Sequence, residues 1–162
     1  MSVRIAAAFL LSLLLLTTPA RANEFRLPQH ERVVLPNGTV LILSENHDVP
    51  MVGLEAVLRG GAITDPEGQN GLSNLFAQVM QYGAGDRDAA AFAEAIESVG
   101  GELDASADLE ALRISADFMA RDAELMIELV ADMLQRPALE EEELEKLRER
   151  SINLIKAAKG GN

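Results

Sequence analysis

The chain has 162 residues, 48% of them hydrophobic, and a formal net charge of −12. That is enough apolar material to bury a core in one domain, and it argues against a disordered chain. The acidic balance, with no tryptophan and one tyrosine, argues against nucleic acid and anionic membrane surfaces as partners; its plain meaning is solubility.

Arg4 precedes an apolar run from Ile5 to Leu16 that only Ser12 breaks, and Ala20-Arg21-Ala22 follows as a small-x-small cleavage site. The run is shorter than the roughly 20 apolar residues a spanning helix needs. Residues 1–22 therefore read as a secretory signal with Asn23 as the first mature residue, an uncleaved anchor being the alternative. Cleavage removes Arg4 and Arg21 but no acid, so the mature chain is more acidic still. Export to a bacterial periplasm is the expectation, with no membrane association after cleavage. The chain has no cysteine, so its fold must hold by packing alone, and thiolate nucleophiles and metal ligands are excluded.

Val33-Val34-Leu35 and Thr39 to Leu43 are β-branched runs on either side of the turn signal Pro36-Asn37-Gly38, which predicts a hairpin. Met51 to Leu58 predicts a third strand, closed by Gly60-Gly61, with Asp65-Pro66-Glu67-Gly68 as a loop. A helix is expected from Asn70 or Ser73 to about Tyr82, because Leu72, Leu75, Phe76 and Val79 fall at i, i+3, i+4 and i+7 and so form a core face. Gly83-Ala84-Gly85 ends it. Asp86 or Asp88 caps a second helix running to Val99, with Phe92, Ile96 and Val99 inward and Gly100-Gly101 as its stop.

Glu102 to Ala107 and Ala111 to Phe118 alternate polar and apolar residues and predict a second hairpin. Asp122 opens a helix through Leu134, with Leu125, Leu129, Val130 and Met133 spaced for burial. Pro137 separates it from a last helix near Glu140, whose opening acids Glu140 to Glu143 suit the macrodipole. Strands in hairpins and helices in pairs give an α+β fold rather than an alternating α/β one.

The order and spacing of these pieces resemble the N-terminal domain of the pitrilysin/insulinase family, which includes the mitochondrial processing peptidase. Leu35-Pro36-Asn37-Gly38 with Val40-Leu41 resembles that family's opening hairpin. Val57 to Gly61 and then Asp65-Pro66-Glu67-Gly68 resemble the strand and loop before its metal helix. Gly71-Leu72-Ser73 stands where the family has Gly-Leu-Ala. Phe92 to Gly101, Leu129 to Pro137 and Glu143 to Arg150 resemble its later helices. The resemblance spans about Glu31 to Asn162. It implies one α+β domain over residues 23–162, an antiparallel sheet built from hairpins with paired helices packed on one face, expected to be truncated at its C-terminal end because the family's first domain continues further.

In that family the first helix carries His-x-x-Glu-His, with two histidine zinc ligands one turn apart and a glutamate that acts as general base on the zinc-bound water. The matching positions here are Asn74, Ala77 and Gln78. Carboxamides are poor zinc ligands beside imidazole, and an alanine cannot take a proton. The family's third ligand, a glutamate on the last helix, falls in a segment resembling Ser151 to Lys159, which contains no acid. Asp104 stands where the family often has an asparagine near bound substrate. Asn74 and Gln78 read first as polar helix surface; Asn74, Gln78 and Asp104 are the positions left for substrate contact.

The remaining metal-ligating candidates are thin. His30 and His47 are the only histidines, and His47 lies near Glu45 and Asp48. Adjacent residues at a strand end point to different faces, which disfavours a three-ligand site there. The serines fall in no nucleophile-elbow pattern, and no phosphate-binding glycine loop is present.

The expectation is therefore a chain without catalytic residues, metal ligands or a cofactor. It would act as a partner or peptide-binding subunit of a zinc-bearing homologous peptidase. The alternatives are an active zinc endopeptidase with another ligand set and a free-standing exported binding module.

Overall fold

The computed structural model describes residues 28–160. The signal read at residues 1–22 lies outside the described residues. The chain divides into two compact units, one up to Asn46 and one from His47 onward.

Within the first unit, β1 (Glu31–Val34) and β2 (Val40–Leu43) form a two-stranded antiparallel hairpin, with Val33 opposite Leu41. The Gly38 N–H donates to the Leu35 carbonyl and the Leu35 N–H to the Thr39 carbonyl, each at 2.9 Å. Pro36 holds the φ of the turn's first central position. Asn37 Oδ1 accepts from the Thr39 N–H at 3.0 Å, and Gly38 takes φ +85°. This is a type I turn closed by a left-handed glycine, the connection that Pro-Asn-Gly favours. β1 begins two residues before the Val33 to Leu35 run and ends one residue short of it, and β2 begins one residue after Thr39.

In the second unit, β3 (Met51–Arg59), β4 (Glu102–Ala107) and β5 (Ala111–Met119) form an antiparallel sheet in the order β3-β5-β4. Four α-helices follow the sequence expectation: α1 (Leu72–Val79), α2 (Ala89–Glu97), α3 (Ala123–Gln135) and α4 (Glu141–Gly160). Short 3-10 turns precede α1, at Ala62–Thr64, and α3, at Ala120–Asp122. The expected α+β class is observed. Among the described residues no helix is long and apolar enough to cross a membrane.

The register determines which backbone groups each strand turns outward. The Gly60 N–H donates to Glu110 O and the Ala120 N–H to Pro50 O, so the hydrogen-bonded pairs of β3 and β5 fall on even-numbered residues. The central strand must then turn its odd-numbered groups to β4, as the bond from the Asp108 N–H to Ala111 O shows. In β4, Glu102, Asp104 and Ser106 consequently bond to β5. Leu103, Ala105 and Ala107 turn their N–H and C=O groups to the sheet's free edge, which pairs with no other strand among the described residues.

Side chains follow the same alternation. Ala105, Ile114, Ala116 and Phe118 are buried on one face of the sheet, where they meet Phe92 of α2 and Met126, Leu129, Val130 and Met133 of α3. Helix α2 starts at Asp88, whose carboxylate accepts from the Ala91 N–H at 2.8 Å, and not at Asp86. It ends with the Gly101 N–H on Ile96 O and the Gly100 N–H on Glu97 O, with Gly100 at φ +66°. That bond pair closes helices through a left-handed glycine. Gly101 serves packing: a Cβ there would lie 2.6 Å from Phe118 Cε1.

Helix α1 departs from the predicted core face. Leu72 and Phe76 stay 45% and 37% exposed, and Leu75 is only half-buried. The residues of this stretch that enter the core are Ala77, Met80 and Ala84, with Val79 buried outside that cluster. The cause is where the helix sits. It is eight residues long and lies against both β4 and α4, and of its residues Ala77 is the one in the main core cluster. It also stops before the expected Tyr82: Gln81 and Tyr82 donate to carbonyls three residues back, tightening the last turn.

Candidate functional site on the first helix

The start of α1 is held from outside the helix. Asp65 Oδ2 accepts from the Gly71 N–H at 2.7 Å. Its Oδ1 accepts from the Ser73 N–H at 2.9 Å and from the Ser73 hydroxyl at 2.5 Å. These are orphan donors of the first turn. The Ser73 hydroxyl above all, with the N–H groups of Ser73, Gly71 and Leu72, holds the Asp65 carboxyl below its ordinary range. The sequence reading placed Asp65 in a loop. Its acid, six residues before Gly71 and next to Pro66, was the available signal for a cap.

The three positions of the degenerate motif have distinct fates. Asn74 is exposed and Gln78 half-exposed on the same side of α1. Gln78 Nε2 donates to Asn74 Oδ1 at 2.6 Å, and Asn74 O lies 3.5 Å from the same nitrogen. The oxygen that Asn74 could offer a cation is thus already an acceptor. Ala77, where a general base would stand, is 1% exposed and packed in the core. These residues do not fit a zinc ion: the site has no imidazole, carboxylate or thiolate donor, and its base position is occupied by a buried methyl group.

The rest of the expected ligand set adds nothing there. Ser151 to Lys159 lie on α4, which packs against α1 and carries no carboxylate in that stretch. Among the described residues no three histidine, aspartate or glutamate side chains gather as a metal-holding group, and this includes Glu45, His47 and Asp48. His30 belongs to the first unit, where its Nδ1 lies 3.1 Å from Pro28 O.

Asp104 lies on β4 opposite Ser115 and is exposed on the sheet face away from the core. Among the described residues no hydrogen bond links it to Asn74 or Gln78. A residue the sequence reading did not single out makes the link between α1 and β4. Gln81 Nε2 donates to Ala105 O at 2.9 Å and to Ala77 O at 3.2 Å. Ala105 O is one of the groups β4 turns to its free edge. A polar side chain in the last turn of an otherwise apolar stretch was the available signal.

Residues 40–159 match the model of the insulinase family, peptidase family M16. The chain belongs to this family. A Helicobacter pylori relative named non-peptidase homolog YmxG is 31% identical over 67% of this chain and 25% of its own. The mitochondrial cytochrome b-c1 complex subunit 1 of Caenorhabditis elegans is 23% identical over 80% of this chain and 26% of its own. The same subunit of Rattus norvegicus is 26% identical over 75% and 25%. The chain thus spans about a quarter of the length of these curated relatives.

Among solved structures, a peptidase M16 inactive domain from Pseudomonas fluorescens aligns with TM-score 0.70 and 18% identity over 75% of this chain and 30% of its own. A Helicobacter pylori protease aligns with TM-score 0.67 and 21% identity over 76% and 30%. At these identities the structural likeness establishes the fold alone.

Proposed function

We propose that this chain is a non-catalytic member of the M16 family. In this reading it holds an extended peptide along the free edge of β4, as partner to a zinc-bearing homologous peptidase. The observation that carries the first part is the state of the motif on α1: Asn74 and Gln78 bond each other, and Ala77 is a core methyl. An active zinc peptidase of this family needs two imidazoles and a base at those three positions. The H. pylori relative, itself named a non-peptidase homolog, supports the reading.

The binding role rests on β4. Leu103, Ala105 and Ala107 turn backbone donors and acceptors to an edge that lies beside α1, where an added antiparallel strand would find its pairing groups. Asn74, Gln78 and Asp104 are the polar side chains nearest in role to substrate contact. Exposed Glu102 and Asp104 on β4, with the chain's net charge of −12, favour a basic peptide. Association with a second M16 chain is supported by the relatives named as subunits of a multi-subunit complex. Export to a bacterial periplasm, with cleavage before Asn23, completes the reading and rests on the N-terminal segment alone.

The test mixes the purified full chain with a zinc-bearing M16 homologue from the same source. Alone, the chain is expected to hydrolyse no unstructured peptide and to retain no zinc after dialysis. With the homologue it should co-elute in size exclusion and raise hydrolysis. Chelator-sensitive hydrolysis by the chain alone would overturn the non-catalytic reading, and failure to bind the homologue would overturn the partner role. The intact mass of the exported chain settles separately whether it begins at Asn23.

A further inference from the structure

The free edge of β4 is partly occupied by the chain itself. Leu103, Ala105 and Ala107 are the residues whose backbone groups face outward, and Ala105 is the middle one. Its carbonyl accepts from Gln81 Nε2 at 2.9 Å. The same nitrogen donates to Ala77 O at 3.2 Å. A primary carboxamide nitrogen has two hydrogens, so both are committed and the side chain is fixed between helix and strand.

An antiparallel peptide pairs with an edge by exchanging N–H and C=O bonds at every second residue. With Ala105 O taken, a peptide can pair at Leu103 or at Ala107 but cannot run continuously through the centre. We propose that Gln81 is a latch on this edge, which must swing out before a peptide strand pairs along the whole of β4. The inference rests on the proposed use of that edge for peptide binding and adds how access to it is controlled.

On opening, the Ala105 carbonyl trades the Gln81 donor for a peptide N–H. Ala77 O gives up its side-chain donor on opening, and the Gln81 backbone N–H bonds to Gln78 O instead. Gln81 is half-buried, not enclosed, so its released carboxamide reaches solvent.

The experiment compares the full chain with Gln81→Met, which keeps side-chain length and loses the donor. The probe is a fluorescein-labelled octapeptide of alternating valine and lysine, read by anisotropy. Gln81→Met is expected to bind it about five- to tenfold more tightly, the worth of roughly one net hydrogen bond no longer spent on opening. Equal or weaker binding by the variant overturns the latch and leaves edge binding standing. Absence of binding by both proteins overturns edge binding, and the latch falls with it.

Gln81→Leu, which also cannot donate and adds no charge toward the lysine-bearing probe, guards against a folding defect peculiar to methionine and is expected to tighten binding in the same direction. In the unmodified chain the Gln81 side-chain amide resonances should shift to solvent-like positions when the peptide binds. Resonances that stay unmoved under saturating peptide overturn the latch whatever the variants do.

Discussion

Gln78 and Asn74 lie one turn apart on α1, and the carboxamide of the first donates to that of the second at 2.6 Å. Two side chains at i and i+4 on a helix are natural neighbours, which is the same geometry that lets two histidines share one metal. Here that geometry yields a surface hydrogen bond. A solvent-accessible pair of this kind contributes about 0.2–0.5 kcal/mol. Asn74→Ala and Gln78→Ala are therefore each expected to change stability by less than about 0.5 kcal/mol, with coupling of the same small size. Urea unfolding of both single variants and the double variant checks this. A coupling above about 1 kcal/mol would mean the pair is part of a larger network.

Ala77 is expected to resist restoration of the family motif. It is 1% exposed among Met80, Ala105 and Phe92 in the same core cluster. Ala77→Glu adds volume and an unpaired carboxyl to that site. We expect a loss on the order of 3 kcal/mol or more at neutral pH, from overpacking and desolvation together. Burial raises the pKa of the introduced carboxyl. The desolvation part of the loss should therefore be small in acid, where the group is protonated in both states, and grow as pH rises past the unfolded value. Adding Asn74→His and Gln78→His to this variant is expected to give no peptide hydrolysis. Stability measured at pH 4 and pH 7 with one denaturant series decides the point.

These two positions also mark how far the sequence could be read. Element types and order were legible because the strands alternate at period two and the helices are bounded by Asp88, Gly100-Gly101 and Pro137. The replacement of the family's motif residues by Asn74, Ala77 and Gln78 was legible because it concerns residue types alone. The burial of α1 was not. Its apolar stripe at Leu72, Leu75, Phe76 and Val79 has the period of a core face, yet Leu72 and Phe76 remain substantially exposed. Periodicity says that a helix has an apolar side; it does not say that the core will take the small Ala77 and leave Leu72 and Phe76 exposed. Nor could spacing disclose Gln81, whose partner Ala105 lies 24 residues away and whose role depends on strand register.

Asp65 predicts an acid-sensitive component of stability. Its carboxyl is held below the ordinary value of 3.8, first by the Ser73 hydroxyl and then by the N–H groups at the start of α1. A carboxyl whose folded pKa is depressed contributes stability that is present above its unfolded pKa and is lost as pH falls through the folded one. The window therefore lies below about pH 4. Asp65→Asn keeps an acceptor oxygen but cannot titrate, so its stability should fall less steeply than that of the unmodified chain across that window. At pH 7 the variant should be the less stable of the two, because the charged acceptor and its attraction to the helix N-terminus are gone. Parallel acid limbs for the two proteins would show that Asp65 caps α1 without coupling its charge to folding.

Gly101 and Phe118 should prove energetically coupled. Gly101 needs no unusual backbone conformation; its role is the absence of a side chain, since a Cβ would lie 2.6–2.8 Å from three atoms of the Phe118 ring. That ring is 0% exposed and central to the cluster that joins the sheet to α2 and α3. Gly101→Ala must push the ring off its position, and overpacking of this kind costs about 1–3 kcal/mol. Phe118→Leu shortens the side chain, at the cost of a small cavity, and opens the space that the methyl needs. The double variant is expected to be more stable than the sum of the single losses predicts, by about 0.5 kcal/mol or more. A double-mutant cycle from urea midpoints measures it. Strict additivity would mean that the loop at Gly100-Gly101 moves out of the way, and that the ring never meets the added methyl.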